Sequence, residues 1–561
     1  MLDADRRLGS VVGLSELSPL PYGPNTVAAL LAAQAGRRPH QDALVDRRRR
    51  LTYRQLDTLV AEVASGFDGL GIEPGDRIAV SMPNSCDTVV AFLGCMRVGA
   101  VFVGVHPGLA AREKAVLVAD ARADLVVTTD ALTGSFGVPS IRAGVVAVDL
   151  DGDGIAALAG PTRQHRQPPD PLAPAALAYT SGTTGTPKGV IHDQHHILLP
   201  AGVIVHDRMG GRAERVGVHL PLTTLNVEIL GPVLALVGGG TCICIEGHEP
   251  GALADVIARE HVEHMSTSPA VVHDLVEHPD VTRAHLAGVR LGVGGVACPE
   301  RLRAAYRERF GRDFTTGYGL TEAPTSVTQE TERVPHRSGA SGTAMAHVAI
   351  EIVGDDGDAV AVGTPGEITV VASRTGPWAD CWRGMHGYHE RPDDTARALA
   401  GGRLHTGDTG WVDADGYLHV ADRRSEVINR GGSKISPAEV ERVLREHPDV
   451  ADCVVLGRPD ARLGESVVAG IEVRAGREVS AADLAEHCAR SLARYKVPGE
   501  IALVARLPRN PMGKVVRDAV LELFATHPDG QVGAGAFVDR APGATPTGSD
   551  PRSSPAADEP K

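Results

Sequence analysis

The chain has 561 residues, 43% hydrophobic and 22% charged, with 56 Lys and Arg against 70 Asp and Glu and a formal charge of −14. That is ample length for several cores, on the order of one per 150 residues, and the acidic balance excludes a general nucleic-acid binder, which needs a basic footprint. The eight cysteines form no CxxC pair, and the first residues, "MLDADRRLGSVVGL", carry no long apolar core behind their charges. Neither a disulfide framework nor a zinc site is expected. A secretory signal and a span of roughly 18 apolar residues are also missing, so a cytoplasmic protein without integral membrane association is expected.

In chain order, "DRRRR" (Asp46 to Arg50) reads as a solvated turn between two strands. Thr52 and Gln55 then have capping-box spacing, and Leu56, Leu59, Val60, Val63, Phe67 and Leu70 share one helical face. Strand "RIAVSMP", helix "TVVAFLGCMRVGA", strand "VFVGV", a helix near 109–120 and strand "DLVVTTD" follow. Apolar strands separated by helices predict a parallel sheet covered on both faces. The alternation continues from "ALAYT" through "HMSTS" and "VRLGVGG" to about Thr316. Cys242 and Cys244 alternate in "TCICIE" and read as one face of a buried strand.

From about residue 340, "HVAIEIVGDDGDAV", "GEITVVAS" and "YLHVADR" predict short strands between Gly and Asp turns, a β-rich subdomain. A third texture begins near Asp422. There Ser436 as cap, Pro437 in the first turn and Glu439 reaching back predict a helix start. Strands "DCVVLGRP" and "SVVAGIEVR" and helix "SAADLAEHCARSLARY" complete a compact α+β unit. The expected organisation is α/β: a large N-terminal domain (1–421) of parallel-rich αβ subdomains plus the β-rich one, then a small α+β domain (422–525). The Gly/Pro/Ser-rich residues 526–561 are expected to be a disordered tail.

"AYTSGTTGTPKGV" (178–190) follows a buried strand. Its glycines permit tight turns, so successive backbone N–H groups can face one anion. Ser181, Thr183, Thr184 and Thr186 add donors and Lys188 adds a cation, so the stretch reads as a polyphosphate cradle, though not the GxxxxGK[ST] loop. "GYGLTE" (317–322) offers Tyr318 as a plane for a base, glycines for close approach and Glu322 for a divalent metal. Asp408 in "HTGD" suits ribose hydroxyls. Asp422-Arg423, Gly431-Gly432 and Lys514 in "LPRNPMGKVVRD" complete the series.

In these motifs and their order the chain, from about Thr26 to Phe524, resembles the adenylate-forming superfamily of acyl-CoA synthetases, luciferases and peptide-synthetase adenylation domains. The resemblance implies ATP and Mg²⁺ chemistry in two steps: a carboxylate attacks the α-phosphate to give acyl adenylate and pyrophosphate, and a thiol, usually of coenzyme A, then displaces AMP. It implies that Thr180, Ser181, Gly182, Thr183, Thr184, Gly185 and Lys188 hold the outer phosphates. Gly295, Val296 and Ala297 would line adenine, with Gly294 beside the acid. Gly317, Tyr318 and Gly319 would sit at the base, Thr321 at the α-phosphate and Glu322 on Mg²⁺. Asp408 would bind ribose, Arg423 would reach the nucleotide, and Lys514 would bridge the attacking carboxylate and the α-phosphate.

The family's small C-terminal domain rotates between the half-reactions, which makes Ser425 the hinge, where relatives carry Asp or Lys, and Gly431, Gly432 and Lys434 the thiol channel. The resemblance also puts His192, His195 and His196 on an ordinary helix face after the phosphate loop rather than on a metal.

One departure concerns the acid. Many relatives read Pro-x-aromatic-His where this chain has "PLTT", with Thr223 and Thr224 at the aromatic and His positions. Glu228, four residues beyond Thr224, is a lone acid among Leu, Val and Ile. Such an acid is costly to bury unless paired or neutral. It is expected either to receive a polar or cationic substrate group, an amine or hydroxyl, or to pair with a neighbouring Arg. The favoured reading is an acid–CoA ligase for a small-molecule acid. Alternatives are loading of a carrier protein in trans, or activation of nitrite for an arylamine. A non-enzymatic nucleotide-binding protein is disfavoured because Lys514 and Asp408 are both kept.

Overall fold

In the computed structural model the apolar strands of the first 316 residues lie in two parallel-rich sheets of seven strands each. The structure describes residues 20, 24–129, 133–134, 136, 141–161, 168–180, 187–247, 249–295, 298, 300–331, 333–354, 356–423, 428–474, 476–508, 515 and 517–525. One sheet runs Thr315–Thr316, Arg290–Val293, His264–Thr267, Arg215–Val218, Thr241–Cys244, Asp42–Val45, Arg50–Thr52, and is parallel except for the last pair. The other runs Gly387–Tyr388, Lys188–Asp193, Pro174–Thr180, Val101–Gly104, Arg77–Ser81, Leu125–Thr129, Val145–Val148. Its first two pairings are antiparallel and the rest parallel.

Burial on both faces explains the unbroken apolar runs: every residue of Arg77–Ser81 is buried. Helix Cys86–Val98 buries every residue except Arg97. Ser85 caps its start by accepting from the Thr88 amide, and Gly99 ends it in the left-handed region at φ +74°. Four antiparallel strands, Val348–Val353, Gly366–Ala372, Leu404–Val412 and Leu418–Arg423, form the β-rich part. One continuous apolar core joins it to both larger sheets through residues such as Ile368, Leu44 and Phe102. Towards the C-terminus a five-stranded sheet carries helices Pro437–Arg445, Ala481–Ala489 and Arg517–Ala525, with its own core around Val440, Val455 and Leu484.

The capping box at Thr52 forms as its spacing predicts: Thr52 accepts from the Gln55 amide and Gln55 accepts from the Thr52 amide at 2.9 Å. Leu56, Val60, Val63 and Phe67 of the helical face are buried. Leu70 is 38% exposed instead, because the helix stops at Gly69 and Leu70 turns out of the face.

The "DRRRR" turn is not merely solvated. Asp46 accepts from the Arg48, Arg49 and Cys86 amides, each at 2.8 Å, while Arg49 pairs with Asp87 and Arg50 with Asp42 and Glu260. Ser436 caps its helix and Pro437 sits in the first turn, but Glu439 does not reach back; a buried lysine, Lys496, takes its carboxylate instead. The predicted helix 480–495 is helical only over Ala481–Ala489. Cys242 and Cys244 are both buried on strand Thr241–Cys244. The 526–561 tail lies outside the described residues.

Candidate active site

The stretch read as a polyphosphate cradle joins two antiparallel strands. Strand Pro174–Thr180 turns back into Lys188–Asp193 with Thr180 opposite Lys188, and the Thr180 hydroxyl donates to the Lys188 carbonyl at 3.4 Å. Ser181, Gly182, Thr183, Thr184, Gly185 and Thr186 lie outside the described residues. Lys188 stands at the hairpin's mouth. Its ammonium is 3.3 Å from Asp394 Oδ2 and 5.2 Å from the centre of the Tyr388 ring. Asp394, in the first turn of helix Pro392–Ala398, also faces Arg391 at 3.7 Å and pairs with Arg397.

The "GYGLTE" turn packs against this ribbon. A Cβ on Gly317 would strike the Thr328 carbonyl and one on Gly319 the Thr325 carbonyl, so both positions require glycine. Thr325 itself sits at φ +74°, a strained state for a β-branched residue. Tyr318 is buried, and its hydroxyl donates to Asp408 Oδ2 at 2.6 Å, so the aromatic candidate and the ribose candidate are joined directly. The Thr321 carbonyl accepts from His192 Nε2 at 2.8 Å, and Glu322 Oε1 accepts from the Tyr388 hydroxyl at 2.8 Å. Burial pulls His192 down to about 4, which leaves a neutral ring with one N–H for that bond.

Glu322 is a half-buried carboxylate, a donor type that suits Mg²⁺, which takes one or two carboxylates plus substrate phosphates and keeps its waters. Among the described residues no group of three His, Cys, Asp or Glu is placed to hold a metal without such a substrate.

His192 lies on strand Lys188–Asp193, not on the helix the sequence suggested. The helix begins at Gln194, capped by Asp193, and carries His195 and His196. Asp408 is 5% exposed and pairs in register with Arg423, whose side chain lies outside the described residues. After strand Arg290–Val293, the Gly294 amide donates to the Thr267 carbonyl at 3.1 Å and Gly295 adopts φ +89°. Val296 and Ala297 lie outside the described residues.

Thr224 is exposed and starts the helical turn Leu225–Glu228, its carbonyl accepting from the Glu228 amide at 3.2 Å. Glu228 has no exposed surface, no arginine partner, and neither carboxyl oxygen has a hydrogen-bond partner among the described residues. The two residues therefore do not share one open surface. Pro232 cannot donate to the Glu228 carbonyl, and the helix widens to a π-type turn over Ile229–Val233. Burial pushes the Glu228 carboxyl well above its ordinary range, which favours its neutral form.

From the C-terminal sheet the Gly431-Gly432 turn, at φ +58° and +90°, reaches the end of strand Arg290–Val293. A Cβ on Gly432 would lie 3.1 Å from Ser268 Cβ, and one on Gly295 would lie 3.8 Å from the Gly432 backbone. Lys434 follows, half-buried, on strand Ser433–Ile435. Lys496 Nζ lies 2.6 Å from Glu113 Oε1, on helix Ala111–Asp120, and 3.0 Å from Glu439 Oε1. Arg112–Glu446 at 3.0 Å and Arg462–Asp274 at 3.2 Å add exposed pairs across the same junction. Ser425 and Lys514 lie outside the described residues.

Sequence reasoning missed Tyr388, Asp394, Glu113 and Lys496. Nothing local marks them, since their partners lie 66 residues away for Tyr388 and 383 for Lys496. Among the described residues no helix is long and apolar enough to cross a membrane.

The chain matches the model of the AMP-binding enzymes over residues 31–375 and that of the AMP-binding enzyme C-terminal domain over 439–514. It is 32% identical over 498 residues to a feruloyl-CoA synthase of Amycolatopsis sp., covering 87% of this chain and 96% of the relative. It is 30% identical over 504 residues to a sulfoacetate–CoA ligase of Cupriavidus necator, covering 88% and 97%. The solved amide bond synthetase McbA of Marinactinospora thermotolerans superposes with a TM-score of 0.79 at 30% identity, covering 89% of this chain and 99% of that one.

Proposed function

The chain belongs to the AMP-binding enzyme family, and on that premise we propose that this ATP-dependent, acyl-adenylate-forming ligase is an acid–CoA ligase. A carboxylate oxygen bonds to the α-phosphorus of ATP as pyrophosphate leaves. The sulfur of coenzyme A then bonds to the acyl carbon as AMP leaves with the electron pair.

The observation that carries the thiol step is the seat of the Gly431-Gly432 turn against Ser268 and Gly295. The two glycines let the turn approach Ser268 and Gly295 by its backbone alone, beside the residues assigned to adenine and acid. In the first step Lys188 and the hairpin connection take the outer phosphates, and Asp408 takes the ribose hydroxyls. Glu322 would hold Mg²⁺, which would offset phosphate charge, and Lys514 offsets the repulsion between carboxylate and α-phosphate. Glu228 enters as a polar determinant of the acid. Its carboxyl, without a hydrogen-bond partner among the described residues and pushed towards its neutral form by burial, suits a substrate amine or hydroxyl that reaches it on binding.

A second reading keeps the adenylate and replaces the thiol by an amine, and the likeness to an amide bond synthetase favours it. Pyrophosphate release across amino-, hydroxy- and unsubstituted acids, followed by product analysis with coenzyme A, with a phosphopantetheinyl carrier, with amines and with nitrite plus an arylamine, separates these acceptors. Thioester formed only with free coenzyme A supports the proposal. An amide, a carrier-bound acyl group or a nitrite-dependent diazo product in its place overturns it. Glu228→Gln with an unshifted acid preference removes Glu228 from the account.

A further inference from the structure

Glu322 is held from outside its own loop. Tyr388, whose hydroxyl donates to Glu322 Oε1 at 2.8 Å, comes from the edge strand Gly387–Tyr388. That strand pairs antiparallel with Lys188–Asp193, with Gly387 opposite Ile191 and Tyr388 opposite Val190. The inner strand carries Lys188 at one end and His192 near the other, and His192 fixes the Thr321 carbonyl at 2.8 Å.

The edge strand is pinned on both sides of the tyrosine. His386 meets Asp193 Oδ2 at 2.7 Å, the Tyr388 amide donates to the Thr395 hydroxyl at 2.9 Å, and the His389 ring meets the Asp120 carbonyl at 3.0 Å. One two-strand ribbon therefore carries the phosphate-loop lysine and grips two consecutive residues, Thr321 and Glu322, of the turn opposite.

We propose that Tyr388 is a positioning residue for the metal: its hydroxyl fixes one oxygen of Glu322 and so presents the carboxylate to the Mg²⁺ that accompanies ATP. The proposal rests on the assignment of Glu322 to Mg²⁺. A carboxylate that is hydrogen-bonded before the ion arrives has fewer orientations to lose, and outer-shell partners of this kind are worth roughly 10–100-fold in metal affinity. Because the donor and Lys188 share one ribbon, the metal ligand and the phosphate cation keep a fixed spacing.

The test is calorimetric binding of a non-hydrolysable ATP analogue at stepped Mg²⁺ concentrations, and in EDTA, for the full-length protein and for Tyr388→Phe, Glu322→Gln and the double variant. The expected result is that Tyr388→Phe raises the Mg²⁺ concentration for half-maximal binding roughly tenfold. Metal-free binding of the analogue should hold, and the double variant should bind no more weakly than Glu322→Gln alone. Three results overturn the proposal. One is an unchanged Mg²⁺ requirement in Tyr388→Phe. Another is an equal loss with and without Mg²⁺, which would place the tyrosine on the fold or the nucleotide. The third is additive losses in the double variant. Wild-type binding that ignores Mg²⁺ would overturn the assignment of Glu322 as well, which separates failure of the premise from failure of the inference.

Discussion

Replacing Glu113 by Gln tests whether charge holds the glycine turn in its seat. Lys496 is 10% exposed and lies between Glu113 and Glu439, at 2.6 and 3.0 Å. Burial works against its ammonium, but the two carboxylates outweigh this and keep it protonated. Glu113 uses its second oxygen to accept from the Ala110 amide at 2.9 Å, closing the first turn of its own helix. Gln keeps the shape and an oxygen for that turn while removing one of the two charges on Lys496.

At this distance the gross attraction is about 6 kcal/mol for an effective dielectric near 20. Desolvation offsets much of it, and Glu439 remains, so a net loss of about 2 kcal/mol in docking is expected. That corresponds to a shift of about thirtyfold in the orientation equilibrium. The assay measures each half-reaction alone: single-turnover thioester formation from supplied acyl adenylate, and pyrophosphate exchange. The first should slow by up to about thirtyfold and the second should not fall if, as the proposed two-step scheme requires, it uses another orientation of the small domain. Equal slowing of both half-reactions, or of neither, refutes the reasoning.

Two further perturbations follow from buried groups. Glu228 favours its neutral form in the folded chain, with an ordinary carboxyl value of 4.5 when unfolded, so the stability present below pH 4.5 is lost as pH rises towards the raised folded value. The loss is about 1.4 kcal/mol per pH unit over that interval. Glu228→Gln has no such term, so its melting temperature should exceed that of the wild type by more at pH 7.5 than at pH 5.5. A gain independent of pH refutes this. Gly319→Ala drives a Cβ into the Thr325 carbonyl and displaces the turn that carries Thr321 and Glu322. Since a shift of about 1 Å costs on the order of a hundredfold in rate, pyrophosphate exchange should fall by about that factor; a wild-type rate would show the turn to be slack.

The parts legible in the sequence are those written within a few residues. The capping box at Thr52 needs only the spacing to Gln55, and helix Cys86–Val98 announces itself by the apolar run from Val89 to Met96. Where a local signal competes with a distant partner, local reading fails. Glu439 has capping-box spacing, yet Lys496, 57 residues away, takes its carboxylate because a buried ammonium needs an anion more than an amide does. His192 sits in an apolar, helix-like context, but pairing with Ala176 keeps it extended and Asp193 starts the helix one residue later. The glycines of "GYGLTE" read as close approaches to a ligand, whereas the structure uses Gly317 and Gly319 for close approaches to the Thr328 and Thr325 carbonyls, and the tyrosine that grips Glu322 depends on the register of an edge strand.

That edge strand also sets a timetable for synthesis. His386 and Asp193, which it brings together, are 193 residues apart. At a ribosomal rate of about 5–20 residues per second, strand Lys188–Asp193 therefore waits roughly 10–40 s for its last neighbour. Throughout that interval its outer N–H and C=O groups form an open edge beside buried Val190 and Ile191. The hairpin assigned to ATP is thus among the early surfaces of the nascent chain to need protection, and it becomes safe from edge-to-edge pairing only when the partner of Glu322 arrives.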